Sequence, residues 1–380
     1  MSRAGRYRQE EDRERIAGRK TQVEAHCRQV APNPKYPDSR IPIISLQNHF
    51  LFCPVAKSAS TFWSRFVLQL NASGVMESPY KLPPLKMPLL TETKLSAIDS
   101  REDRVRFLRE SLKTVFVRDP YHRMFSAYVD KAFAPNPVFW LEWGWRRPRK
   151  FALQFRTRKR CFHDLTLAEV MSIAASFLHK SDLHFVPVSK RCDPCQFKYD
   201  VVGKMETFME DLRYLSNRMN LSLTEYFASD EFRYDYAKDA IEDSIYSPFG
   251  WTKDIFRCMD KLEMGLRIWR KLQIRGLIDR RVPFPYSRKQ FQNVSADQFC
   301  QASLKAHLQS TDKVELKRQK RDAFVEAYRT VDINVLYNIK RIFMDDFKMF
   351  GYESEPAEVF DRKEDVNVTG AFDWSKPWTG

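Results

Sequence analysis

Three short apolar runs stand out in a chain that is otherwise polar and charged: Phe50 to Val55, Lys113 to Val117 and Tyr199 to Gly203. Near-continuous runs of this length, rich in Val and Phe, predict strands buried on both faces. Each is followed by a polar turn and then a helical pattern. After the first, Phe62, Phe66, Val67 and Leu70 share one face of a helix that opens at Ser60 and ends at Asn71 and Gly74. After the second, the spacing predicts a helix over Arg123 to Phe133, and after the third a helix over Glu206 to Met219. Between the first two runs, Ile98 to Leu112 reads as a charged amphipathic helix. Strands alternating with helices predict an α/β fold with a central parallel sheet flanked by helices. Ligands of such sheets bind at the C-terminal strand ends.

The rest of the chain is less regular. Residues 1–42 read as a polar N-terminal arm, helical or disordered, ending in a linker with Pro32, Pro34 and Pro37. A main domain is predicted over residues 43–354 and a tail over 355–380. Ser78 to Leu90 is Pro-rich and reads as extended. Residues 134–160 form an insert with Trp140, Trp143 and Trp145, and its Arg146–Arg160 stretch holds eight Lys/Arg and no acid. That insert reads either as a grip for an acidic glycan or as a solvated basic loop with buried tryptophans. Thr166 and Glu169 have capping-box spacing and open a helix to about Lys180. Asp230 to Ser310 is rich in aromatics but shows no period. Asp312 to Phe350 reads as helical, with Val314, Leu316, Phe324, Tyr328, Leu336, Ile339 and Phe343 as buried positions.

Composition narrows the partners. The 380 residues are 43% hydrophobic, enough for a sizeable core, and carry a net charge of +15. Such a chain favours anions: nucleic acid, phosphates, acidic glycans or anionic lipid. Seven cysteines, an odd number, leave at least one free or paired between chains. Sequons at Asn71, Asn220, Asn293 and Asn367 point mildly to a lumenal setting. No stretch reaches the ~18–20 apolar residues of a membrane span. Met1 to Arg28 has no apolar signal core, so nothing in the chain as given directs it into the secretory pathway.

The candidate chemistry lies just after the first two strands. Lys57, Ser58, Ser60 and Thr61 sit in a strand-to-helix turn, where ammonium, hydroxyl and backbone N–H groups can cradle a phosphate. The nucleotide loop G-x-x-x-x-G-K-[ST] is absent, since no Gly lies between Tyr36 and Ser73. Arg118 follows the second strand and precedes Asp119-Pro120, and Ser126 comes about two turns into the next helix. Arg118 can fork onto a phosphate or pair locally with Asp119; Lys57 can bind an anion or simply lie in solvent.

Together these segments resemble the donor-binding signature of the Golgi carbohydrate sulfotransferases, the group of the chondroitin and dermatan 4-O-sulfotransferases and the natural-killer-epitope sulfotransferase. Pro54 to Trp63 is similar to their 5′-phosphosulfate loop and Phe116 to Tyr128 to their 3′-phosphate segment. His184 to Pro187, Cys192-Asp-Pro-Cys195 and Tyr199 to Glu206 resemble the middle of these proteins, and Asp345 to Tyr352 their C-terminal signature. The chain departs from them in carrying Ser60 and Phe62 where many vertebrate members have Cys and Asn.

The resemblance implies a P-loop-like sulfotransferase fold and in-line transfer of a sulfuryl group from 3′-phosphoadenosine 5′-phosphosulfate (PAPS) to a sugar hydroxyl of a glycosaminoglycan or glycoprotein glycan. It implies that Lys57 stabilises the leaving oxygen. Ser58, Ala59, Ser60, Thr61 and Phe62 would hold the 5′ phosphate, and Arg118 and Ser126 the 3′ phosphate. His184 is the first choice of general base, with His163 and Glu142 as rivals. No metal and no nucleic acid are implied. A Golgi setting, with membrane attachment, is expected of the family, although no anchor is visible. Cys192 and Cys195 make at most half a zinc site, so a structural or disulfide role is expected. The alternatives are a cytosol-type sulfotransferase for small alcohols or phenols and a non-catalytic protein that binds acidic glycan or nucleic acid.

Overall fold

A computed structural model describes residues 3–30, 42–72, 78–82, 94–145, 161–362 and 369–378. The proline linker at 32–37, Gly74, the Pro-rich stretch beyond Leu82, the basic run Arg146–Arg160 and the Asn367 sequon lie outside them. The chain divides into two compact units: Met1–Arg123 with Asp182–Asp235 and Phe343–Ser354, and Met124–Ser181 with Tyr236–Ile342 and Glu355–Gly380.

The first unit holds a four-stranded sheet of β1 (Ile43–Ser45), β2 (Phe50–Cys53), β3 (Leu112–Val117) and β4 (Val201–Lys204), in that order. β1 runs antiparallel to β2, while β2, β3 and β4 are parallel, with Phe50 opposite Leu112 and Thr114 opposite Val201. Side chains alternate between two cores. Phe50, Phe52 and Phe116 pack with Phe62, Trp63 and Phe66 of helix α2 (Ser60–Asn71). Leu51, Cys53, Val115 and Val117 pack with Val188, Cys192, Met349 and Phe350 on the other face. The Phe116 ring lies only 2.4 Å from where a Cβ on Gly203 would stand, so glycine is required there.

Helix α1 (Arg3–Gln29) belongs to this unit. It buries Ile16 and Val23, and ion pairs supply much of its attachment: Arg19 to Asp211 at 2.6 Å and Asp12 to Arg213 at 2.7 Å. Its end is stapled by the Cys27–Cys195 disulfide. Helices α3 (Arg101–Glu110) and α4 (Pro120–Tyr128) flank β3 in the chain.

The second unit is helical. Leu167–Ser176 opens with the full Thr166–Glu169 capping box. Helices Lys261–Ile274, Ala296–Gln309, Lys313–Arg329 and Ile333–Ile342 follow. Their inward faces carry polar groups. Buried Arg267 donates to the His163 carbonyl at 2.8 Å and lies 4.4 Å from the Trp374 ring. Buried Lys271 meets Asp130 at 2.6 Å. Cys161–Cys258 closes this unit.

These findings correct the expected α/β fold with a central parallel sheet flanked by helices and a P-loop-like sulfotransferase layout. The protein is mostly helical, and its sheet is small, open and partly antiparallel. Segment 230–310, which had no visible period, is helical because cations and amides share its buried faces with apolar residues. For the same reason Val314 is 79% exposed, and Glu315 and Gln319 hold the inward positions. The expectation of membrane attachment is also corrected: among the described residues no helix is long and apolar enough to cross a membrane.

Candidate active site

β2, β3 and β4 end at Cys53, Val117 and Lys204, so the loops that follow lie along one sheet edge. The loop after β2 turns at Val55, whose carbonyl accepts from the Ser58 amide at 3.1 Å. Lys57 and Ala59 both take left-handed backbone angles, φ 67° and 59°. For residues other than glycine this costs ~1–2 kcal/mol each, an expense that clusters at functional loops. Left-handed residues in a turn also gather successive amides into an anion-binding concavity.

Ala59 is the N-cap of α2, and the first closing bond runs from the Trp63 amide to the Ala59 carbonyl at 3.0 Å. The amides of Ala59, Ser60, Thr61 and Phe62 are therefore the orphan donors of the first turn. Ser58 is fully buried, and its Oγ has no hydrogen-bond partner among the described groups. A buried hydroxyl without a partner at the base of such a turn suits an anion that brings its own acceptor. Phe62 offers only its backbone, since its ring is buried among Trp63, Phe66, Phe208 and Phe232.

Arg118 follows β3 and donates from Nη1 to the Lys57 carbonyl at 3.4 Å, which joins the two loops. The Asp119 carboxylate caps α4 by accepting from the His122 amide at 2.9 Å. Glu206, beyond β4, accepts from the Asp119 amide at 3.3 Å and from the Tyr352 hydroxyl at 2.9 Å. Ser126 lies two turns along α4, half-buried, and groups with the second unit.

His184 is fixed by its neighbour. One oxygen of Asp182 accepts from the His184 amide and meets ring Nδ1, both at 2.8 Å. Against a carboxylate Nδ1 carries the proton, which leaves the ring's lone pair on Nε2, as a base requires. His163 lies in the second unit with its ring 5.9 Å from Trp140, and Glu142 is exposed there on helix Pro137–Trp145. Trp140 and Trp143 are fully buried, while Trp145 is exposed.

Arg191, Arg123 and Asp346, given no role from the sequence, and Cys192, for which a structural or disulfide role was expected, hold the His184 segment to the loop edge. Arg191 donates to the Pro54 carbonyl at 3.1 Å, and Cys192 is bonded to Cys53. Buried Arg123 donates to the Val186 carbonyl at 2.7 Å. Asp346 accepts from the Val188 and Ser189 amides at 2.7 and 2.8 Å. Asp182, two residues before His184, had a readable local signal; the others act across more than sixty residues of chain.

A strand–loop–helix cradle linked to a second basic loop at the neighbouring strand end is an arrangement suited to a phosphate-type anion. The sequence matches the sulfotransferase family over residues 42–243, more than half of its length, and the chain belongs to that family. It is 29% identical to carbohydrate sulfotransferase 11 of Rattus norvegicus over 187 residues, covering 46% of this chain and 51% of that one. Its identity to carbohydrate sulfotransferase 9 of Homo sapiens is 30% over 178 residues (44% and 38% covered). To carbohydrate sulfotransferase 12 of Xenopus laevis it is 27% over 252 residues (57% of each). The chain spans about half the length of the curated relatives it matches. No solved structure matches it.

Proposed function

We propose that the protein is a carbohydrate O-sulfotransferase that moves the sulfuryl group of PAPS to a hydroxyl of a glycosaminoglycan or glycoprotein glycan. The observation that carries this reading is the bond from the Arg118 guanidinium to the Lys57 main-chain carbonyl, which joins the two basic loops beyond neighbouring parallel strands. PAPS would supply an activated sulfuryl group, and catalysis would be mainly positioning and charge stabilisation. The four orphan amides and the Ser58 hydroxyl would hold the 5′ phosphate. Lys57 would neutralise charge on the departing oxygen. Arg118 and Ser126 would hold the 3′ phosphate, and Nε2 of His184 would take the acceptor's proton. The carbohydrate acceptor is suggested by the relatives' names, and three disulfides support an oxidising, Golgi-type lumen.

The direct test is transfer of labelled sulfate from PAPS to chondroitin, dermatan, desulfated heparin and N-glycan termini, with a small phenol as comparison. Transfer to a glycan is expected, and transfer to the phenol alone would overturn the carbohydrate reading. Arg118→Ala is expected to raise the KM for PAPS by about 10–100-fold, the loss of a charge-assisted contact. His184→Ala should keep PAPS binding, measured by calorimetry, while transfer falls by about 10²–10⁴-fold. Full activity in that variant would move the base elsewhere.

A further inference from the structure

The end of α1 and the segment 189–199 enclose a cavity of about 750 Å³ within the first unit. That volume is in the range of small-molecule sites. Its walls carry Arg28, Lys190 and Lys198, all exposed, Arg28 from the end of α1 and the two lysines from opposite ends of the segment 189–199. Among the described residues, no carboxylate pairs with any of them. The other charges of the cavity are largely answered: Lys20 meets Asp200 at 3.1 Å, His26 meets Asp345 at 3.5 Å, and Asp193 caps the turn at Gln196. Glu24 is the remaining acid of the lining, so among the described residues three unpaired cations face one unpaired carboxylate. Lys198 is also held at φ 52°, an uncommon backbone state for lysine. Val23 and Met349 add apolar wall, which suits the carbon face of a sugar.

We propose that this cavity is an accessory subsite for an acidic oligosaccharide, bearing carboxylate or sulfate groups along its chain. Cations spread over separate walls match charge spaced along a polymer better than one compact phosphate. The inference rests on the glycan-sulfotransferase reading. It adds a second contact for the same substrate class, away from Lys57 and Arg118. The segment that lines the cavity with Ser189, Lys190 and Asp193 also grips the Lys57 loop through Arg191 and the Cys53–Cys192 bond. A chain bound here therefore rests on the same short scaffold as the donor loop.

The test is equilibrium binding of a chondroitin sulfate decasaccharide to the full chain, with a neutral dextran oligosaccharide as comparison. It is joined by sulfate transfer to long and to disaccharide acceptors. The double variant Lys190→Glu/Lys198→Glu is expected to weaken decasaccharide binding about tenfold or more. The KM for the long acceptor should rise by a similar factor, with kcat and disaccharide turnover unchanged. Lys190→Arg/Lys198→Arg should bind as the wild type does. Arg28→Gln, on another wall, should weaken binding severalfold by itself, so the test does not hang on one variant. Unchanged binding in both the Glu double variant and Arg28→Gln overturns the subsite, as does equal binding of dextran. Absence of any sulfate transfer by the wild type would remove the enzymatic reading, and the binding arm would still decide the subsite.

Discussion

Lys57→Ala is expected to lower kcat for sulfate transfer by about 10²–10³-fold, the usual cost of removing one preorganised charge stabiliser. The fold should persist. The loop is anchored by groups other than the Lys57 side chain: the Cys53–Cys192 bond, the Ser58–Val55 turn and the contact from Arg118 to the Lys57 carbonyl, which alanine keeps. Alanine already occupies the left-handed state two residues on, at Ala59, so the substitution adds no new kind of strain. What would disappear is the cation proposed to meet the charge that builds up as the donor's bridging oxygen departs. An interaction made chiefly in the transition state lowers kcat more than it weakens donor binding. PAPS affinity by calorimetry should therefore change much less than turnover. Wild-type turnover in Lys57→Ala would sink the assignment of this loop.

The parts that were legible in the sequence are those with local signals. The three apolar runs are strands β2, β3 and β4, and the α2 face of Phe62, Phe66, Val67 and Leu70 is buried as its spacing predicts. The Thr166–Glu169 capping box is present. The lysine turn and Arg118 come together, although they are 61 residues apart, because parallel neighbouring strands share an edge. The sheet's extent was not legible. Three strand–helix alternations suggested an α/β fold around a central parallel sheet, but the remaining chain is helical with masked periodicity. Arg267, Arg270, Lys271 and Gln273 are all buried on one helix, and each is counted as polar in a hydropathy pattern. The attachment of α1 was hidden for a similar reason: its inward face includes Asp12, 2% exposed, beside Ile16. Cysteine pairing was equally unreadable, since seven cysteines allow many partners and only the fold selects Cys27–Cys195 and Cys53–Cys192. The cysteine left over, Cys300, is buried.

Asp346→Ala is expected to destabilise the first unit by about 2–5 kcal/mol, the cost of leaving two amides of the turn without their acceptor. Asp346 is 2% exposed and is the acceptor for two adjacent amides at the turn into Val188–Cys192. Burial pushes its carboxyl up, while Arg123 and the two amides pull it back toward the charged form. Burial likewise brings the Arg123 guanidinium down to about 10, and Asp346 is the main charge opposing that fall. Alanine would leave two buried amides without an acceptor and Arg123 without its strongest counter-charge. Asp346→Asn should cost less, because it keeps one carbonyl oxygen for the amides while losing the charge. Urea unfolding of the two variants separates these contributions, and an Ala variant as stable as the wild type would remove the structural role. The same loss should reach the chemistry. The 188–192 turn carries Arg191 and Cys192, which hold Pro54 and Cys53 at the head of the Lys57 loop, and it follows directly from the His184 segment. Loosening it should lower transfer even at temperatures where the variant remains folded, with donor KM and kcat both affected. That pattern would distinguish Asp346, a positioning residue, from Lys57, whose loss falls on kcat.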